Sequence, residues 1–125
     1  MLSVCLFCVA LFAMECSSTE LRGVEDVATR FLGVPYVAGT LEVDGEERLI
    51  VDTTRLDCTT FVELSVAEWL ASQDDDLSFE QHVQALRYRG GVVDGYLSRL
   101  HYFTDWVAEN AKRGVWQELA PTAAD

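Results

Sequence analysis

Phe61, Val62, Leu64, Val66, Trp69 and Leu70 set apolar side chains on most sides of one short stretch of chain. Wound as a helix, such a stretch leaves no broad face for water and needs packing partners on more than one side. Asp57 stands just ahead of it and can accept hydrogen bonds from first-turn N–H groups, so the helix is expected to begin at Cys58 and to be deeply buried. Whatever fold this chain adopts must be assembled around that helix.

Other elements follow from spacing and punctuation. Leu21, Val24, Val27, Ala28, Phe31 and Leu32 recur at helical intervals and stop at Gly33 and Pro35, which predicts a first helix. Leu49-Ile50-Val51 is apolar and β-branched after the polar turn Asp44 to Glu47, and predicts a short strand. Ser78 with Gln81 is a capping box for a helix carrying Phe79, Val83 and Leu86, ended by Gly90-Gly91. On that helix His82 is expected at the surface. Ser98 is expected to open a further helix with Leu100, Phe103, Val107 and Ala111 on one face and Gly114 past its end, Phe103 serving as core. The acidic run Asp74-Asp75-Asp76 reads as a solvated loop.

The 125 residues suffice for one domain, and 50% hydrophobic with 24% charged residues is a globular composition. A net charge of −12 with nine Lys and Arg excludes a phosphate-binding basic face, so nucleic acid is not an expected partner. Leu2 to Met14 is an apolar run of 13 residues, shorter than the ~20 residues that span a bilayer but suited to the core of a signal peptide. Residues 1–19 are therefore expected to be a signal peptide, without the usual basic residues ahead of the core, and 20–125 the domain, exported to the periplasm or cell envelope. Cys5 and Cys8 fall inside the apolar run and are not read as a metal or redox pair. Cys16 is a candidate lipid-attachment site, the only membrane contact expected, and the protein is expected to be a monomer.

Cys58 is the chemically interesting residue. A thiol attacks only as its thiolate, and the unpaired N–H groups and dipole at a helix N-terminus stabilise that anion. A first-turn N–H can also meet a developing oxyanion. A buried structural cysteine is the competing reading on position alone.

The strings around it carry a resemblance. Gly33-Val34-Pro35-Tyr36-Val37-Ala38-Gly39, then Leu56-Asp57-Cys58-Thr59-Thr60-Phe61-Val62, are similar to the paired signature of the NlpC-type cell-wall cysteine hydrolases. Pro35 to Glu42, Leu56 to Glu63, Arg87 to Tyr96 and Ser98 to Trp106, in that order, resemble the N-acetylmuramoyl-L-alanine amidase-like branch. The resemblance implies an α+β, papain-like cysteine hydrolase fold, represented here by its helical first half with the antiparallel sheet largely missing. It implies Cys58 as nucleophile, no metal or organic cofactor, and a muropeptide or peptidoglycan substrate cut at the amide between the lactyl group and L-alanine. Tyr36 and Asp57 would line the cleft, Asp57 being equally a plain helix cap. Arg99, His101, Tyr102 and Trp106 would contact sugar or peptide.

A cysteine hydrolase also needs a base and a group to orient it. In the family the base is a histidine on a strand of the following sheet, and the expected place for it is beyond Asp125. The alternative within this sequence is His101, four residues before Asp105, which on one helix face would complete a triad with Cys58. Three readings therefore stand: the first half of an exported amidase, a protein that binds cell-wall fragments without cutting them, and a short hydrolase using His101.

Overall fold

The computed structural model describes residues 23–73 and 76–117. Four α-helices carry the fold: α1 (Val24–Ala28), α2 (Cys58–Ala71), α3 (Phe79–Arg87) and α4 (Phe103–Lys112). Short 3₁₀ turns follow α1 at Thr29–Phe31, follow α3 at Arg89–Gly91, and stand before α4 at Tyr96–Ser98. The segment expected to be a signal peptide, with Cys5, Cys8 and Cys16, lies outside the described residues. Among the described residues no helix is long and apolar enough to cross a membrane.

Helix α2 is the centre, packed by α1 on one side and α3 on another. It starts where the sequence places it. Asp57 is its N-cap, Oδ1 accepting from the Thr59 N–H at 3.0 Å and the Thr60 N–H at 2.8 Å, while the Asp57 N–H donates to Thr60 Oγ1 at 2.9 Å. Leu64 and Ala67 meet Val83 and Leu86 of α3 and Leu56 in the core, with Phe31, Val34, Leu49 and Trp116 packed around them. Burying a leucine such as Leu64 contributes roughly 1.5–3 kcal/mol. The rest of α2 departs from expectation: Phe61 and Val62 are 37% and 41% exposed, so the helix is buried on one side and bare on another.

The capping box of α3 forms as read, Ser78 Oγ accepting from the Gln81 N–H and Gln81 Oε1 from the Ser78 N–H. Two polar residues on α3 are buried. His82 is 3% exposed, not a surface histidine, because it shares the stripe of Phe79, Val83 and Leu86 that faces the core. Arg87, 2% exposed, pairs with the equally buried Glu63 of α2 at 2.8 Å and also donates to the Ile50 carbonyl. Burial pushes the Glu63 carboxyl up from its ordinary range, and the adjacent Arg87 charge opposes that shift.

No strand is present among the described residues. Leu49 to Val51 is irregular chain against the core, and the Ile50 carbonyl is taken by the Arg87 guanidinium instead of a neighbouring strand. Two isolated bridges exist, Tyr36 with Leu56 and Tyr88 with Arg99. The first helix is shorter than read, with Leu32 81% exposed. Helix α4 begins at Phe103, one turn later than the Ser98 start, and Phe103 itself is 74% exposed. The delay has a cause: the Leu100 N–H donates to the Arg87 carbonyl at 2.9 Å, which with the Tyr88–Arg99 bridge holds the preceding segment extended. Asn110, fully buried on α4, donates from Nδ2 to the Leu86 carbonyl at 2.9 Å and so fastens α4 to the end of α3.

Candidate active site

Cys58 is the first residue of α2 and is exposed. Asp57 Oδ1 occupies the Thr59 and Thr60 N–H groups, leaving the N–H of Cys58 itself as the first-turn donor open to a ligand among the described residues. The positive end of the helix dipole therefore faces whatever negative charge develops at Sγ or at an attacked carbonyl oxygen.

The two sequence segments that carry the signature meet here. The Val37 N–H donates to the Leu56 carbonyl at 2.9 Å and the Leu56 N–H to the Pro35 carbonyl at 3.1 Å, which pins Tyr36 alongside the entry to α2. Tyr36 is 70% exposed and, with Phe31, Val34, Phe61 and Cys58, lines a cavity of about 240 Å³. Cys58 also joins Val62, Leu100, His101, Phe103 and Trp106 in lining a second cavity of about 230 Å³. A third, of about 160 Å³, is polar, with Glu42, Asp57, Thr59, Arg87, Arg99 and His101 in its walls. Cys58 thus borders both a tyrosine-flanked hollow and an apolar one, and its neighbours Asp57 and Thr59 line the charged cavity.

The other predicted site residues divide. Asp57 is a helix cap and also a cavity wall. Arg99 is 6% exposed, held by Glu42 at 2.9 Å and Glu47 at 3.2 Å, its guanidinium 5.1 Å from the Tyr96 ring centre. Its part in the site is mainly that of a buried charge shaping the polar cavity. Tyr102 is exposed at the N-cap of α4 and lines none of the three cavities. Trp106 is 6% exposed, and Phe103 and Trp116 pack beside it with ring centres 6.1 and 4.6 Å away. That leaves it as a wall and removes the open ring face that stacking on a sugar needs.

His101 and Asp105 do not form the expected pair. His101 lies before the helix, so the two residues do not share a helical face. His101 Nε2 is 2.8 Å from the Tyr96 carbonyl and its ring lies against that tyrosine, centres 4.2 Å apart. Asp105 faces Arg89 at 3.4 Å. His101 does share the apolar cavity with Cys58.

Residues that sequence reasoning passed over are Glu63, Glu42 and Glu47. Glu63 and Glu42 line the polar cavity, and Glu47 accepts from the Tyr88 hydroxyl at 2.7 Å. Burial and the Glu47 carboxylate together push the Tyr88 phenol well above its usual range. Glu63 was legible in principle, one residue before Leu64 and three after Thr60 on the buried side of α2. Among the described residues no group of His, Cys, Asp and Glu is arranged to hold a metal ion.

No curated protein matches the chain. A crystal structure of an N-acetylmuramoyl-L-alanine amidase from Bacteroides uniformis is 42% identical, with a TM-score of 0.68 over 72% of this chain and 38% of its own. A crystal structure from Bacteroides fragilis, carrying a xylanase description, is 44% identical with a TM-score of 0.67 over 71% of this chain and 40% of its own. The chain therefore spans about two fifths of the length of these relatives. The model of the AmiA-like, N-acetylmuramoyl-L-alanine amidase-like family matches residues 26–124, and the chain belongs to that family.

Proposed function

We propose that the chain is part of an exported peptidoglycan hydrolase that cuts the amide between the lactyl group of N-acetylmuramic acid and L-alanine, with Cys58 as nucleophile in a papain-like fold. The observation that carries this reading is the meeting of the Tyr36 and Cys58 segments through the Leu56 backbone, with an exposed thiol at a helix N-terminus between two cavities.

In the reaction Sγ of the Cys58 thiolate attacks the lactyl carbonyl carbon, and the oxyanion forms against the Cys58 N–H at the positive end of α2. The C–N bond breaks and the amine of L-alanine leaves with the proton that the base took from the thiol. Water then adds to the thioester, releasing the muramic acid carboxylate and the free thiol. The base in this proposal is a residue outside the 125 residues of this chain, which spans 38% of the length of the Bacteroides uniformis relative. His101 contacts substrate, and no metal or organic cofactor takes part.

The test is product analysis with the full-length protein and an N-acetylmuramoyl-L-alanine peptide. The expected products are N-acetylmuramic acid and a peptide with a free L-alanine amine, insensitive to chelators. Cleavage within the peptide, cleavage of the glycosidic bond, or tight binding without turnover would reject the proposal.

A further inference from the structure

We infer that the apolar cavity beside Cys58 is the subsite for the substrate's acetamido group, with His101 Nδ1 accepting that group's N–H. The inference rests on the proposed muramoyl amide substrate and adds which part of it the protein selects.

The cavity has the size and character for a small acyl amide. Its volume is about 230 Å³, and Val62, Leu100, Phe103 and Trp106 give it an apolar wall that suits a methyl group. Its polar equipment is His101 and Thr59 next to the thiol.

The chemistry His101 offers is set by its neighbour. A carbonyl oxygen only accepts, so the 2.8 Å contact between Nε2 and the Tyr96 carbonyl assigns the proton to Nε2. Contact with the tilted Tyr96 ring, centres 4.2 Å apart, holds the imidazole in that orientation. In the neutral ring Nδ1 is then an acceptor, and no described residue donates to it. An acceptor on a residue that lines this apolar cavity matches a secondary amide that brings one N–H and one methyl group.

Substrate connectivity puts such a group in reach. The lactyl ether and the acetamido group sit on neighbouring carbons of the sugar ring. When the lactyl carbonyl stands at Sγ, the acetamido group lies only a few bonds away and needs a hollow that includes Cys58 in its rim, as this one does.

The experiment compares two substrates on the full-length protein: an N-acetylmuramoyl-L-alanine peptide and an analogue with hydrogen in place of the acetamido group. Wild type is expected to show kcat/KM lower by at least about tenfold for the analogue. His101→Ala should lose about tenfold on the acetamido substrate, mainly in KM, and less than about twofold on the analogue. His101→Asn, whose amide oxygen stands near the place of Nδ1, should recover most of the loss. Equal turnover of both substrates by wild type would overturn the subsite while leaving the proposed reaction intact. An equal loss on both substrates in His101→Ala would also overturn it, since His101 would then act on the chemistry. Absence of any turnover of the acetamido substrate removes the proposed reaction and the subsite together.

Discussion

At the scale of single residues, Asp57 bears most on the site because it builds the helix terminus on which Cys58 stands. Replacing it with alanine frees the Thr59 and Thr60 N–H groups and should cost about 1 kcal/mol in denaturant unfolding, with Asp57→Asn recovering most of that. An unchanged midpoint for Asp57→Ala would mean the cap contributes nothing. Asp52, ahead of the same helix, accepts from the Thr54 N–H, the Thr54 hydroxyl and Arg55, and these bonds lower its pKa from 3.8 to about 2. A carboxyl depressed on folding contributes stability above its unfolded pKa and loses it as pH falls through the folded one. Between about pH 4 and pH 2, Asp52→Asn should therefore lose less stability than wild type; parallel acid limbs would refute this. Asp57 and Cys58 were legible because capping is decided within a few residues. His82 was misplaced at the surface because residue type outweighed its position on the Phe79, Val83 and Leu86 stripe.

At the scale of elements, two buried polar ties hold the helices in register. Glu63 and Arg87 join α2 to α3, and Asn110 joins α4 to α3. Glu63→Ala leaves the Arg87 charge buried without its carboxylate and should destabilise by roughly 3–5 kcal/mol in chemical unfolding. The joint replacement Glu63→Leu with Arg87→Met should cost far less; equal losses would show that packing, not the unpaired charge, sets the penalty. The same ties explain what the sequence hid. A segment whose Leu100 N–H is taken by the Arg87 carbonyl cannot wind into the helix that Ser98 was expected to start, and that contact spans distant parts of the chain. The Leu49–Val51 strand failed for a related reason, since strand formation needs a ladder partner and the Ile50 carbonyl found a guanidinium. Helix α3 was legible because its cap, apolar stripe and terminating glycines all lie within its own sequence.

At the scale of the molecule, the described residues leave apolar surface between α2 and α4. Val62, Val66, Phe103, Trp106, Val107 and Trp116 line an open groove of about 750 Å³, which shares Val62, Phe103 and Trp106 with the apolar cavity beside Cys58. Apolar surface on this scale favours association. A polypeptide of residues 20–125 is accordingly expected to bind a hydrophobic dye and to self-associate in sedimentation. A monomeric, dye-silent fragment would show that the groove needs no cover. The central proposal is that the thiol at the head of α2 performs the cleavage. Turnover of an N-acetylmuramoyl-L-alanine peptide by full-length Cys58→Ala tests it most directly. The account predicts a kcat at least about a thousandfold below wild type with the fold intact; a rate within a few-fold of wild type would contradict it.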